Sequence, residues 1–387
     1  MLSERIQRIQ PSATLAINAR AIELQKQGIP ILKFGTGEPD FDTPENIKDA
    51  AKKALDEGFT KYTAASGIIE LKEAIRDKLK RDNAIETTTS EVMVSVGGKQ
   101  ALFNIFMALI NPGDEVIIPS PYWVSYSDMV GVCEGVCQFV DTRPNKMKLT
   151  AEMVEKAITP KTKILILNSP SNPTGMMIEE SEIRQIAQLA KKHQFYVISD
   201  EVYEAFIYDG KQHFSIGSIE DMKDWVFTVN AVSKTYSMTG WRIGYTAGPE
   251  TVIKRMGNLQ SHSTSNPCSI AQKAALEAIT GPQDSVKMMH QEFARRRDYV
   301  YEEFNKIPGF ELEKPEGAFY AFPKVSSLYK GEIKNSFDFA EKLLNEAHIA
   351  VIPGGAFGEA GDDYIRFSYA SSMTDIEEGV RRLREFV

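Results

Sequence analysis

Cysteine is scarce in this chain of 387 residues, which contains only Cys133, Cys137 and Cys268. Three cysteines cannot build a disulfide framework, and the two close ones lack the second pair or the histidines that a zinc site needs. We therefore expect no disulfide-stapled fold and no bound metal, and we interpret the three cysteines as small core residues.

Long apolar stretches and an excess of positive charge are also missing. Apolar runs such as residues 116–118 and 164–167 are far shorter than the roughly 18 residues of a membrane span. The first ten residues mix Glu4, Arg5 and Arg8 among few apolar ones, unlike a signal peptide. The 45 basic and 53 acidic residues give a net charge of -8, which disfavours nucleic acid and anionic membranes as partners. We expect a cytoplasmic enzyme.

Short apolar runs alternate with helical periodicity between residues 43 and 249, which is typical of a parallel sheet covered by helices. One helix is predicted to begin at Thr43-Pro44, with a capping hydroxyl and a proline, and to bury residues 47, 50, 51, 54 and 55 before Gly58. A second is predicted over 99–110 and a long charged one over 284–306. The predicted strands are 92–96, 116–118, 164–167, 196–199, 226–229 and 243–247.

The predicted elements become shorter after the long charged helix, where Pro308-Gly309 and Pro315-Glu316-Gly317 separate them. The sequence therefore predicts two domains, a large one over 44–285 and a small one formed by 1–43 and 286–387. Because no long linker separates them, we expect a ligand site in the cleft between them.

Residues 97–100, Gly-Gly-Lys-Gln, stand between a predicted strand and a helix. They do not form a nucleotide-binding P-loop, because Met93 and Gln100 occupy positions where that motif needs glycine and Ser or Thr. The helix start still offers backbone N–H groups to an anion, although two glycines before a helix more often form a plain tight turn than a phosphate site.

Three polar segments follow predicted strands. Lys234 and Arg242 stand eight residues apart in residues 231–244, Asn172 lies in residues 168–175, and Asp200 precedes Tyr203 in Asp-Glu-Val-Tyr. Because the carboxyl ends of parallel strands meet at one edge of a doubly wound sheet, these side chains are expected to share a crevice.

The three segments resemble the signatures of class I pyridoxal-phosphate-dependent aminotransferases, and the resemblance covers nearly the whole chain. It implies the aspartate aminotransferase-like fold (fold type I), an α/β fold with a large, mostly parallel sheet domain and a smaller α+β domain. It also implies a Schiff base between Lys234 and pyridoxal 5'-phosphate, with Arg242 on the cofactor phosphate. Ala231 departs from the usual Ser or Gly of the signature, so Ser233 is expected to supply part of the lost phosphate contact.

The resemblance further implies that Asn172 and Tyr203 donate to the phenolic oxygen of the cofactor and that Asp200 pairs with its pyridine nitrogen. A carboxylate there keeps the ring protonated and able to withdraw electrons from the substrate. Trp123 is expected to stack on the ring, and Tyr62 to reach the phosphate of a neighbouring subunit, which implies a homodimer with shared sites. The remaining implied cofactor contacts are Gly98, Lys99 and Gln100.

The substrates implied are an amino acid and a 2-oxo acid, exchanged by a ping-pong mechanism. Arg366 matches the binder of the substrate α-carboxylate, with an internal ion pair as its alternative role. The freed amine of Lys234 is expected to move a proton at the α-carbon, because Arg242, Arg366 and the Schiff base lower its pKa. Other implied substrate contacts are Gly37, Trp123 and Asn172.

Within the family, residues 11–14, 37–40, 97–100 and 121–126 resemble the bacterial and archaeal branch of aspartate aminotransferases. That branch implies recognition of the distal carboxylate of aspartate or glutamate by Lys99, helped by Ser12 and Thr14. Prephenate-aminating members carry Lys where this chain has Gln10, which argues against prephenate.

Three other functions remain open at this stage: a broad-range or aromatic aminotransferase, a pyridoxal-phosphate β-lyase, and a cofactor-sensing transcription regulator. We expect the regulator least, because only roughly forty residues precede the predicted sheet and the chain is acidic.

Overall fold

The computed structural model describes residues 2–7, 9 and 13–387, without the side chains of residues 4, 5, 13–16 and 18. The helices are α1 (Glu4–Gln7), α2 (Ala13–Lys26), α3 (Glu45–Asp56), α4 (Ile69–Asn83), α5 (Gly97–Leu109), α6 (Ser125–Val132), α7 (Ala151–Ala157), α8 (Glu180–His193), α9 (Val232–Thr235), α10 (Glu250–Ser263), α11 (Ser269–Thr280), α12 (Asp284–Phe304), α13 (Ser336–Lys342) and α14 (Met373–Phe386). The strands are β1 (Leu32–Lys33), β2 (Val92–Ser95), β3 (Glu115–Ser120), β4 (Val136–Asp141), β5 (Thr162–Asn168), β6 (Tyr196–Asp200), β7 (Val226–Ala231), β8 (Gly244–Ala247), β9 (Tyr320–Ala321), β10 (Ile349–Ala350), β11 (Ile352–Pro353) and β12 (Ile365–Ser368).

A seven-stranded sheet in the order β2-β8-β7-β6-β5-β3-β4 contains all six predicted strands. Its strands run parallel except β8, which is antiparallel to β2 and β7. Strand β4 was not predicted, because Val136 and Phe139 are 46% and 53% exposed on this edge strand and its polar residues interrupt the apolar pattern.

The register of the central strands brings the predicted polar residues to one edge of this sheet. Asn168 at the end of β5 pairs with Asp200 at the end of β6, and Asp200 pairs with Val229 in β7. Helix α9, which carries Lys234, begins directly after β7. The crevice predicted from the strand ends is therefore present.

Helix α3 departs from its prediction in its N-terminal cap and in the width of its buried face. Its N-cap is Pro44 and makes no side-chain cap, because the Thr43 hydroxyl donates instead to the Ser237 carbonyl at 2.6 Å. Ile47, Ala51 and Ala54 are buried as predicted, whereas Ala50 is only partly buried and Leu55 is 51% exposed. The apolar stripe is thus narrower than the sequence pattern predicted, since one neighbouring helix, α11, covers it.

A second layer is built from the C-terminal third of the chain and a short N-terminal strand. Strands β11, β12 and β9 form an antiparallel sheet, and β1 pairs in parallel with β10. Phe34, just after β1, stacks on Phe367 of β12 with ring centroids 4.0 Å apart. These contacts join residues 32–34 to the C-terminal part of the chain, as the predicted small domain requires. The boundaries of that domain, 1–43 and 286–387, stay a prediction. Among the described helices, none has the length and apolarity to cross a bilayer.

Candidate active site

A cavity of about 290 Å³ lies at the carboxyl ends of β5, β6 and β7, against residues of β9 and β12. Eleven predicted site residues line it: Gly37, Gly98, Lys99, Trp123, Asn172, Asp200, Tyr203, Ser233, Lys234, Arg242 and Arg366. The structure brings these eleven residues together from distant parts of the chain.

Two predicted residues, Gln100 and Tyr62, are not among the residues that line this cavity. The Gln100 side chain donates to Asn104 Oδ1 at 2.8 Å and so points along α5. Tyr62 is 90% exposed at the surface. Ser12 and the side chain of Thr14 lie outside the described residues. A polar neighbour one helical turn away therefore satisfies the Gln100 side chain, and the predicted contact of Gln100 with the cofactor stays a prediction.

Asp200 is a buried carboxylate with few donors around it. Tyr126 donates to its Oδ2 at 2.7 Å, and the Val202 amide lies 3.4 Å from Oδ1. Loss of hydration outweighs these bonds and raises the pKa of Asp200 to about 6. The site therefore holds a carboxyl group that would gain from a cationic partner.

Lys234 projects from the one-turn helix α9, and its ammonium contacts the carbonyl of Gly37. Loss of hydration lowers the pKa of Lys234 to about 8, and the positive charges of Arg366 and Arg242 add to this. The direction agrees with the sequence-based expectation, but the largest cause is burial and not the neighbouring cations.

An anion cradle is formed where α5 begins. A side chain at residue 97 would collide with the guanidinium of Arg242, and Gly97 has φ +81°, so both space and backbone require glycine there. Arg242 is anchored by donating from Nη1 to the Thr239 carbonyl at 2.8 Å. Together with the Ser233 hydroxyl, the helix N-terminus and this guanidinium offer a set of donors suited to a phosphate.

Arg366 is a buried cation that forms no ion pair with an acidic side chain of the described residues. It donates from Nη1 to Asn172 Oδ1 at 2.9 Å and from Nη2 to the Gly35 carbonyl at 2.7 Å, while its Nε has no partner. The ion pairs found among the described residues do not include Arg366, so the alternative of an internal ion pair fails there. Burial lowers its pKa. A buried guanidinium in this state favours binding of a carboxylate.

Lys99 and Trp123 lie together on the opposite wall of the cavity. The Lys99 ammonium lies 4.9 Å from the centre of the Trp123 ring. Loss of hydration and, secondly, Arg242 lower the pKa of Lys99, whereas Asp128 raises it. The Lys99 side chain is exposed at the cavity, where its charge is available to a ligand.

Sequence reasoning missed two tyrosines that line the cavity, Tyr126 and Tyr320. Tyr126 is 74 residues from its partner Asp200, and the Tyr320 hydroxyl lies 2.7 Å from that of Tyr203, 117 residues away. No local spacing could have paired them. The one available signal was that Tyr126 is the last residue of segment 121–126, which resembles aspartate aminotransferases.

Comparison with known proteins gives the family of this chain. The family model described as aminotransferase class I and II matches residues 29–383. The chain belongs to this family. This aminotransferase is similar over its full length to aspartate aminotransferases. The fold type I architecture predicted from the sequence is confirmed.

Three of these similar proteins illustrate the range. A probable aspartate/prephenate aminotransferase of Rickettsia bellii is 50% identical, covering 99% of this chain and 98% of the relative. The aspartate aminotransferase of Bacillus sp. strain YM-2 is 47% identical, covering 100% and 99%. The crystal structure of Thermus thermophilus aspartate aminotransferase with maleate has a TM-score of 0.95 and 44% identity, covering 100% of both chains.

Proposed function

We propose that this aminotransferase binds pyridoxal 5'-phosphate and transfers the amino group of L-aspartate or L-glutamate to a 2-oxo acid, 2-oxoglutarate or oxaloacetate. The observation that carries the proposal is one cavity lined by a lysine of lowered pKa, a buried carboxyl of raised pKa and a buried arginine without an acidic partner. The aspartate specificity is supported by the Bacillus and Thermus relatives.

The residues present fit the cofactor in three respects. The anion cradle at the start of α5 suits a phosphate, Trp123 offers an aromatic face, and Asp200 would regain a cationic partner from a protonated pyridine nitrogen. Asn172 would donate through Nδ2, because its oxygen already accepts from Arg366. When bound, the cofactor supplies an electron sink for the substrate α-carbon.

The chain's own residues would then perform three tasks. Arg366 would hold the substrate α-carboxylate bidentately and so orient the α-carbon. The Lys234 amine, with a pKa of about 8, is partly unprotonated near neutral pH and would move the proton at that carbon. Trp123 and Tyr203 would cover the reacting atoms and limit access of water.

Lys99 is proposed to bind the distal carboxylate of acidic substrates, with Ser12 and Thr14 beside it. Its lowered pKa and its position over Trp123 support a ligand-facing ammonium. We also propose a cytoplasmic homodimer, in which the exposed Tyr62 reaches the phosphate of the neighbouring site; its 90% exposure in one chain supports this role.

A test of the specificity compares wild type and Lys99→Ala. The kcat/KM for aspartate and glutamate should fall about 10- to 150-fold relative to alanine and phenylalanine, since a hydrogen bond to a charged group contributes about 1.5–3 kcal/mol. Single-turnover conversion of the bound cofactor by each amino acid, followed by absorption, measures this directly. Added salt should narrow the difference if the site is open to solvent.

Two controls accompany this measurement. Lys53→Ala, on the exposed face of α3, should leave every substrate unchanged, and Lys234→Ala should be inactive with all of them. An equal loss for neutral and acidic substrates would instead assign Lys99 to the cofactor phosphate. No loss at all would move the enzyme to the broad-range or aromatic class.

A second candidate acceptor is prephenate, because the Rickettsia bellii relative is named a probable aspartate/prephenate aminotransferase. Gln10, which argued against it, lies outside the described residues. The same absorption assay, run in reverse with the aminated cofactor and prephenate in place of 2-oxoglutarate, decides between the two acceptors.

A further inference from the structure

Tyr320, in strand β9 of the three-stranded sheet, reaches across to the cavity of the large sheet. It is 1% exposed and lines the same cavity as Asp200 and Lys234. No sequence motif pointed to it, yet three of the predicted site residues contact its side chain.

The hydroxyl of Tyr320 forms a pair with the hydroxyl of Tyr203. The two oxygens lie 2.7 Å apart and both side chains are buried. Each phenol has one hydrogen to donate, so one hydroxyl donates to the other and the accepting hydroxyl keeps its hydrogen for a third group. If Tyr320 donates, the O–H of Tyr203 is left directed at the cavity, where a buried hydroxyl needs an acceptor.

The guanidinium of Arg366 lies over the ring of Tyr320 and over that of Phe357. The guanidinium carbon lies 4.6 Å from the Tyr320 ring centre and 5.0 Å from that of Phe357. Two Arg366 nitrogens are fixed by Asn172 and Gly35 at the edges of the guanidinium plane. The aromatic faces therefore stop the cation from tilting and stabilise its charge where water is excluded.

Gly37 completes the contacts of Tyr320. A Cβ atom at residue 37 would lie 2.6 Å from the Tyr320 hydroxyl, closer than real contacts allow. The carbonyl of Gly37 is the group that the Lys234 ammonium contacts. Tyr320 thus packs against the backbone that receives Lys234 as well as against Tyr203 and Arg366.

We propose that Tyr320 is a positioning residue with two separable parts: its ring orients Arg366 for the substrate α-carboxylate, and its hydroxyl orients the O–H of Tyr203 toward the cofactor. The inference rests on the proposed function, because it takes the α-carboxylate and the phenolic oxygen of the cofactor as the groups that Arg366 and Tyr203 meet.

The hydroxyl is tested with Tyr320→Phe in the cofactor-loaded enzyme. The kcat should fall about 2- to 12-fold, as for one neutral hydrogen bond, with the KM for aspartate within about two-fold of wild type. The pH midpoint of the absorption change of the bound cofactor should rise, because a donor to its phenolic oxygen is no longer held in place. Tyr369→Phe, which removes a buried hydroxyl bonded to the Ala318 carbonyl outside the cavity, is the matched control.

The ring is tested with Tyr320→Leu. The dissociation constant of succinate, an unreactive dicarboxylate, should rise about 10- to 30-fold in the loaded enzyme, as expected for loss of a desolvated cation–π contact, whereas Tyr320→Phe should leave it unchanged. If Tyr320→Leu does not fold, as judged by circular dichroism, Tyr320→Met takes its place because it fills similar space without an aromatic face.

A double-mutant cycle gives the decisive outcome. In a Tyr203→Phe background, Tyr320→Phe should have no further effect on kcat or on the absorption midpoint. An unchanged midpoint in the single variant, or an effect that persists in that background, overturns the role of the hydroxyl. Equal succinate binding in Tyr320→Leu (or Met) and Tyr320→Phe overturns the role of the ring.

The same data separate this inference from the proposed function. If wild type transfers no amino group but the absorption midpoint still rises in Tyr320→Phe, the proposed function fails and the hydroxyl role stands. If wild type is an active aspartate aminotransferase and neither variant differs from it, the inference fails alone.

Discussion

Asp200 and Glu201 are consecutive buried carboxylates, 6% and 1% exposed, with opposite electrostatic behaviour. The pKa of Asp200 is raised to about 6, whereas that of Glu201 is lowered. Glu201 accepts from the hydroxyls of Ser199 and Ser215 at 2.7 and 2.6 Å, and Asn83 donates to it at 3.0 Å. Burial raises the pKa of both groups, but the charge of His213 and, after it, the hydrogen bonds from His213, Ser215 and Ser199 lower the pKa of Glu201.

The partners of Glu201 form a polar cluster behind the active site. His213 Nε2 lies 2.8 Å from Glu201 Oε2, and Lys78 contacts Glu204, to which Asn83 also donates. Lys78 and, at a pH where it is protonated, His213 supply positive charge to the carboxylates of Glu201 and Glu204. Glu201 is therefore satisfied by the chain itself, whereas Asp200 has an electrostatic deficit that a cationic ligand group would fill. The contrast separates a structural carboxylate from a functional one.

The largest expected effect is on turnover in Asp200→Asn. Its kcat should fall by about 150- to 5,000-fold, equivalent to the about 3–5 kcal/mol for removing one member of a buried ion pair. Glu201→Gln, one residue away, should stay within about ten-fold of wild type. Steady-state rates at saturating aspartate measure both, and similar losses in the two variants would break the comparison.

For the free energy of unfolding, the larger loss should come from Glu201→Gln and not from Asp200→Asn. Glu201→Gln should lower the free energy of unfolding by about 3–5 kcal/mol, because His213 and Lys78 lose part of their buried counter-charge. Cofactor-free Asp200→Asn at pH 8 should be at least as stable as wild type, since ionising a group whose folded pKa exceeds the ordinary 3.8 costs folding energy. Urea unfolding of the cofactor-free proteins measures this, and a large loss in Asp200→Asn would contradict it.

His213 should cause a pH dependence of the free energy of unfolding. Glu201 raises its pKa above the ordinary 6.5 despite burial, with Glu204 adding to this and Lys78 opposing it. The pair's contribution is therefore complete below about pH 6.5 and is lost as pH rises through the folded pKa, with a slope of at most about 1.4 kcal/mol per pH unit. Urea unfolding from pH 6 to 9 should show this slope in wild type and in the control His193→Gln, which alters an exposed histidine, but not in His213→Gln.

The smallest expected effect comes from Tyr126→Phe, which removes the best donor to Asp200. The pKa of Asp200 should rise further, so cofactor affinity should fall about ten-fold and its decline on acidification should begin at a higher pH. Equilibrium dialysis of the cofactor across pH 5–8 measures both. An unchanged pH dependence would mean that Tyr126 does not govern the charge of Asp200.

Much of the site could be predicted because its parts lie in short segments. Lys234 and Arg242 share one segment, Asn172 follows β5, and Asp200 ends β6, so local spacing and strand ends were sufficient to group them. The predicted cap at Thr43 is wrong because its hydroxyl donates to the carbonyl of Ser237, a residue far away in the sequence. Strand β4 was missed because an exposed edge strand has no continuous apolar run.

The sequence by itself determined the class of sheet, the positions of its main strands along the chain and the residue types available at their ends, because hydrophobic period and motif spacing are local properties. Only the tertiary structure decided that Arg366 lacks an acidic partner, that Tyr320 joins it to Tyr203, and that Asp200 and Glu201 differ in pKa. These properties depend on which distant side chains meet and on how much water is removed around each charge, and neither is encoded in any short segment.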